Sequence, residues 1–185
     1  ILALCTRAFV EDAGSIGYFN PSYSLYPVLA DIRGVETKPV ELAEDFGWAM
    51  PAGYRCSLFF LTYPNAPTGI LYPKKTVREF CRQFRGVVAL DEAYVNFSRS
   101  DGMDLALKLG NVLVMRTLSK AYSLAGLRVG YVVGAEPLIG ALFKLKDSYN
   151  LDMISQALAL AALSDIPHMR RNVEKIKATR ARLAA

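Results

Sequence analysis

One histidine, one tryptophan and three cysteines are all that 185 residues supply of these types, and each scarcity removes a class of chemistry. His168 stands alone, and Cys5, Cys56 and Cys81 are far apart in apolar sequence, so no zinc-binding spacing is present. The cysteines form no C-x-x-C pair and suggest no disulfide framework; reduced core thiols and a cytoplasmic location are the expectation. No apolar run reaches the roughly 18 residues of a membrane span, and no signal peptide opens the chain. Charge of one sign is scarce as well, with a formal net charge of only +5. Its basic residues gather between Arg170 and Arg182, where Glu174 is the single acid. No aromatic side chains interleave there to stack bases, so the stretch reads as a solvated helix face and not as a nucleic-acid contact. Gly126 and Gly130 lack the G-x-G-x-x-G spacing of a dinucleotide site.

What is present is apolar and regular. The chain is 52% hydrophobic and 21% charged, a globular balance. Short runs rich in Val, Leu and Phe predict strands at Ser15–Phe19, Val35–Val40, Ser57–Thr62, Val87–Leu90, Asn111–Arg116 and Leu127–Val133. Helical periods predict helices at Tyr23–Ile32, Lys74–Phe84, Leu105–Leu109 and Pro137–Lys146, with Pro73 and Pro137 at early helix positions. This alternation implies an α/β fold, a central mostly parallel sheet with helices on both faces. The strands read as continuous apolar runs, as burial on both sides requires. From residue 151 the pattern becomes helical only, over Met153–Leu163 and from Pro167 onward, with a break at Ser164–Pro167. Residues 1–150 are therefore expected to form a sheet domain, and residues 151–185 a helical passage toward a second domain. Ile1–Phe9 reads as a helix already under way, and the helical pattern of Asn172–Ala185 stops without a capping glycine. The chain thus reads as the middle of a longer protein, truncated at both ends.

Three of the apolar runs end in polar residues, which an open parallel sheet places along one ligand-binding edge. Val87–Leu90 leads into Asp91-Glu92-Ala93-Tyr94. Leu58–Leu61 leads into Tyr63-Pro64-Asn65-Ala66-Pro67-Thr68-Gly69. Val112–Met115 leads to Thr117-Leu118-Ser119-Lys120-Ala121, followed by Gly126-Leu127-Arg128-Val129-Gly130. A lysine amine with its proton affinity lowered by burial is a nucleophile toward an aldehyde. Thr117, Ser119 and the planar fork of Arg128 suit a phosphate. An aldehyde and a phosphate on one small molecule describe pyridoxal 5'-phosphate. A carboxylate such as Asp91 keeps a pyridine nitrogen protonated, and a phenol such as Tyr94 bonds the ring's 3-oxygen.

Tyr63–Gly69, Leu90–Ser98 and Arg116–Tyr131 resemble the signature blocks of fold-type I pyridoxal-phosphate aminotransferases. The lysine block is similar to the T-L-S-K-A-(F/Y)-x-L-A-G-L-R-x-G-(F/Y) of the histidinol-phosphate aminotransferase branch. That resemblance implies that Lys120 forms the Schiff base and shuttles the proton, Asp91 pairs with the pyridinium nitrogen, and Tyr94 bonds the 3-oxygen. Thr117, Ser119 and Arg128 would hold the phosphate. Asn20-Pro21-Ser22-Tyr23 falls at the family's C-P-P-T-Y-like segment, which makes Tyr23 the stacking ring. One departure stands out: the family's P-N-N-P-T-G has an asparagine where this chain has Ala66, one residue after Asn65. Either Asn65 substitutes through a shifted backbone, or Tyr94 bonds the 3-oxygen alone.

The same resemblance implies transamination of an amino acid or amino-alcohol phosphate, with histidinol phosphate and 2-oxoglutarate as the expected pair. The expected partners are a small amino donor, an oxo-acid acceptor and a second copy in a homodimer, without nucleic acid, membrane or metal. Two alternatives stay open: a phospho-amino-acid decarboxylase of the same branch, and a non-catalytic cofactor-sensing domain of a transcription regulator. A small-residue phosphate loop and an arginine for the substrate carboxylate are expected outside residues 1–185. Tyr149 and Asn150 are further candidates for a substrate or subunit contact.

Overall fold

The computed structural model describes residues 1–184; Ala185, the last residue of the expected helical tail, lies outside the described residues. In chain order the elements are α1 Leu2–Phe9, β1 Ser15–Asn20, α2 Leu25–Arg33, β2 Glu36–Glu41, β3 Leu58–Thr62, α3 Lys74–Gln83 and β4 Val87–Asp91. They continue with α4 Met103–Lys108, β5 Val112–Thr117, β6 Gly130–Gly134, α5 Glu136–Leu145, α6 Met153–Ser164 and α7 Ile166–Leu183. One six-stranded sheet runs β2-β1-β3-β4-β5-β6. Every neighbouring pair is parallel except β5 and β6, which are antiparallel.

Period-two alternation sends successive side chains of the central strands to opposite faces. Phe59, Leu61, Val88, Leu90, Val112 and Val114 join Val77 and Cys81 of α3 and Leu105 and Ala106 of α4 in one core. Leu58, Phe60, Ala89, Leu113 and Met115 join Cys5 of α1, Tyr26 and Ala30 of α2 and Leu142 of α5 in the other. Helices therefore cover both faces, as the apolar runs require. The helix ends carry local reasons for stopping where they do. Gly34 closes α2 in the left-handed conformation (φ 71°), its N–H meeting the carbonyls of Ala30 and Asp31. Asp152 caps α6 by accepting from the Ser155 N–H, and Asp165 caps α7 by accepting from the His168 N–H. His168 is accordingly a helix-start residue. Cys5 and Cys81 are buried, Cys56 is partly so, and none is in a disulfide. Burial pushes the Cys5 and Cys81 thiols up to about 12.

Two expectations are corrected. β2 is not a continuous apolar strand: in Glu36–Glu41 only Val40 is buried, because the strand lies at the sheet edge. Pro39 fits there, since an edge strand has no neighbour on one side to ask for its missing N–H. The last strand does not begin at Leu127. Ala125–Leu127 form a 3-10 turn and Arg128 adopts φ 55°, a left-handed conformation that breaks an extended chain, so β6 starts at Gly130.

β1 has β2 on one side and β3 on the other, so the chain leaves the sheet centre in opposite directions from this strand. That switch point opens a crevice beyond the carboxyl ends of β1 and β3. The tail helices add a second cover. Ala159 of α6 packs with Leu118 and Val129, and Met169 and Val173 of α7 pack with Ala121. Phe59 is the aromatic hub of its core, with ring centroids 5.0 Å from Phe19, 5.1 Å from Phe80 and 5.9 Å from Phe84. Phe59→Ala should lower unfolding free energy by about 3–5 kcal/mol in a denaturant titration, with an unchanged slope.

Candidate active site

Asp91 is the last residue of β4 and is 8% exposed. Its Oδ1 accepts from the Ala93 N–H at 3.1 Å, and its Oδ2 accepts from the Tyr26 hydroxyl at 3.0 Å. Burial raises the Asp91 carboxyl above the ordinary aspartate value; the bonds from Tyr26 and Ala93 and the charge of Lys120 pull it back down. Lys120 Nζ lies 5.2 Å from the centroid of the Tyr94 ring. The structure thus brings the carboxylate, the phenol and the amine of the sequence reading to one edge of the sheet. Tyr94 is 37% exposed.

Lys120 itself is exposed, which corrects the expectation of a buried amine. Its neighbours Leu118 and Ala121, each 1% exposed, take the inward positions against α6 and α7. The loop therefore turns the lysine outward. Thr117 and Ser119 stand together, their hydroxyl oxygens 2.9 Å apart, and Thr117 Oγ1 also accepts from the Ser119 N–H at 3.1 Å. Arg128 is exposed on the following turn, where its Nη1 donates to the Ala125 carbonyl at 2.8 Å. Tyr23 is 45% exposed and meets Tyr26 edge-on at 5.6 Å and 88°.

Asn65 is buried, and both hydrogens of its amide are engaged. Nδ2 donates to the Pro21 carbonyl at 3.1 Å and to Thr68 Oγ1 at 3.0 Å, while Oδ1 accepts from Ser22 at 3.2 Å. It ties the loop after β3 to the loop after β1. Tyr149 is 96% exposed, on the surface.

Sequence reasoning passed over three groups. Tyr26 and Thr62 line the buried side of Asp91, with their hydroxyl oxygens 2.7 Å apart. Glu92, which strand alternation sends away from Asp91, is 1% exposed; it bonds the Gly102 N–H and receives Arg116 Nε at 2.8 Å. Burial raises its carboxyl, against the lowering bonds from Gly102 and Arg116. The signal was available: a buried acid immediately after Asp91 needs a partner, and Arg116 occupies the end of the neighbouring strand.

A family model, aminotransferase class I and II, matches residues 1–185. The chain belongs to this family. Among curated relatives of this chain, the histidinol-phosphate aminotransferase of Syntrophotalea carbinolica is 43% identical over 177 residues, 94% of this chain and 50% of its own length. The histidinol-phosphate aminotransferase 1 of Nostoc sp. is 38% identical over 186 aligned positions, 100% of this chain and 53% of its own. The chain spans about half the length of the curated relatives it matches. The crystal structure of histidinol-phosphate aminotransferase from Sinorhizobium meliloti in complex with pyridoxal-5'-phosphate superposes with a TM-score of 0.87 at 25% identity, covering 98% of this chain and 52% of that one. Thermus thermophilus aspartate aminotransferase with maleate shares the fold, with a TM-score of 0.84 at 22% identity over 98% of this chain and 51% of that one.

The raised Asp91 carboxyl has a stability consequence. An acid whose folded value lies above its unfolded one contributes fully below the unfolded value, 3.8, and loses that contribution as pH rises through the folded value. Asp91→Asn removes the loss. The cofactor-free variant should unfold at higher denaturant than wild type at pH 7, and the advantage should shrink as the pH falls toward 3.8. An advantage that grew on acidification would contradict this account.

Proposed function

We propose that the protein is a pyridoxal-phosphate-dependent aminotransferase that exchanges an amino group between histidinol phosphate and 2-oxoglutarate. The observation that carries this reading is the meeting of Lys120, Tyr94 and Asp91 at one sheet edge. The donor set suits the cofactor. Each Asp91 oxygen accepts one bond and keeps capacity for an N–H⁺, and Tyr94 Oη makes no hydrogen bond among the described residues. Thr117 and Ser119 offer adjacent hydroxyls, and Arg128 adds a cation. When bound, the cofactor supplies an aldehyde that stores the amino group and a ring that accepts electron density from the substrate's α-carbon.

The chain's own residues divide the remaining work. Asp91 holds a proton on the ring nitrogen. Tyr94 donates to the 3-oxygen; Asn65 does not share that task, because both its amide hydrogens hold the loop. Thr117, Ser119 and Arg128 bind the phosphate, and Tyr23 stacks on the ring. Lys120 Nζ removes the proton from the substrate's α-carbon and returns it. Residues 1–150 form the cofactor-binding domain, and residues 151–185 lead toward a second one. Within this reading the protein is a cytoplasmic homodimer whose other partners are the amino donor and the oxo-acid acceptor.

Borohydride reduction of the protein incubated with pyridoxal phosphate should leave a pyridoxyl label on the Lys120 peptide. Lys120→Ala should carry no label there and lose roughly 10²–10⁴-fold in turnover. An unlabelled wild-type peptide would overturn the assignment. With histidinol phosphate supplied, 2-oxoglutarate should be consumed without release of carbon dioxide; carbon dioxide from a phospho-amino acid would instead identify a decarboxylase.

A further inference from the structure

Behind Asp91 the side chains form a continuous series of hydroxyls that the proposed chemistry does not use. Ser22 Oγ lies 3.0 Å from Thr62 Oγ1, Thr62 Oγ1 lies 2.7 Å from Tyr26 Oη, and Tyr26 Oη lies 3.0 Å from Asp91 Oδ2. At the far end Ser22 donates to Asn65 Oδ1 at 3.2 Å. Tyr26 is 0% exposed and Thr62 is 2% exposed, so their hydroxyls are closed off from bulk solvent. The Tyr26 ring is fixed independently of its hydroxyl. It stacks on Phe60 at 4.6 Å and 7°, and it meets the Tyr23 ring edge-on.

Each hydroxyl has one hydrogen, so the direction of the series follows the charge on Asp91. A carboxylate only accepts; Tyr26 must then donate to Asp91, and Thr62 must donate to Tyr26. Ser22 then has its hydrogen free for Thr62 or for Asn65. A protonated Asp91 allows the opposite order, with Tyr26 donating to Thr62, Thr62 to Ser22 and Ser22 to Asn65. A relay ending on a carboxylate is strongest in the first order, because its last bond is charge-assisted.

We propose that Tyr26 and Thr62 are positioning residues, a hydroxyl relay that holds Asp91 ionised and aimed at the ring nitrogen of the cofactor. The inference rests on the reading of Asp91 as the partner of that nitrogen. The groups that face Asp91 are Tyr26 of α2, Cys5 of α1 and Lys120 after β5. Cys5 is buried and its thiol is pushed up to about 12, so it is neutral where the enzyme works. The Ala93 N–H, Lys120 and Tyr26 favour the charged form, and Tyr26 is the one side chain among them in direct contact with the carboxylate.

The test uses the whole protein in Tyr26→Phe and Thr62→Val forms. Tyr26→Phe keeps the ring contacts and deletes the donor. In the cofactor-free protein, the Asp91 carboxyl carbon followed by NMR should titrate at higher pH than in wild type, since a donor to the charged form is gone. Pyridoxal phosphate binding should weaken about ten-fold, and kcat should fall with little change in KM. Thr62→Val should move the titration the same way by less, and Thr62→Ser, which keeps the hydroxyl, should restore the wild-type titration. An unshifted Asp91 titration together with wild-type cofactor affinity in Tyr26→Phe overturns the relay. If Tyr26→Phe does not fold, an Asp91 titration alike in Thr62→Val and Thr62→Ser overturns it equally. Absence of the borohydride label at Lys120 defeats the cofactor reading instead; a label with no Tyr26 effect defeats only the relay.

Discussion

Asp91 stands where β4 runs out of parallel sheet, and the burial of its charge organises what surrounds it. Two donors, the Ala93 N–H and the Tyr26 hydroxyl, offset the desolvation, and each comes from a different direction. Ala93 belongs to the turn that carries Tyr94 over toward Lys120. Tyr26 belongs to α2, the helix that follows the switch strand β1. Holding one carboxylate in place therefore fixes α2, which follows β1, relative to the turn after β4. A desolvated acid with too few donors would neutralise itself and lose its use as a counter-ion.

Its sequence neighbour Glu92 does comparable work on the other face. Strand alternation turns it away from the crevice, and its carboxylate joins the end of β5, through Arg116, to the backbone at Gly102 before α4. Arg116 Nη2 also lies 3.2 Å from Asp101 Oδ2. Arg116 directly precedes Thr117, so this buried pair anchors the root of the segment that carries Lys120. Removing one partner would strand a desolvated charge, which is far more harmful than the pair is beneficial.

Much of this was legible in the residues. The apolar runs of β3, β4 and β5 and the helical periods of α3 and α5 give the layers directly, and the acids and hydroxyls at the strand ends mark the edge where chemistry gathers. Other features depended on the third dimension. Tyr26 reads as a core aromatic, because nothing local says that its hydroxyl reaches a carboxylate 65 positions away. β2 reads as a strand, but its place at the sheet edge, which leaves only Val40 buried, is not visible locally. The start of β6 is hidden by Arg128, a residue type that seldom adopts positive φ, so the apolar pattern of Leu127 and Val129 suggested extended chain too early. The outward turn of Lys120 depends on Leu118 and Ala121 finding partners on α6 and α7, which no local pattern records.

Trp48, which attracted no role in the sequence, packs between β1 and α3, with its ring 4.4 Å from Phe19 and 5.8 Å from Phe80. It is also the only indole in the chain. Emission excited at its absorption edge therefore comes from a single place, the aromatic layer under the sheet. Phe19 is followed at once by Asn20 and the turn to Tyr23, so that light reports on the strand from which the crevice opens and is silent about the helical tail.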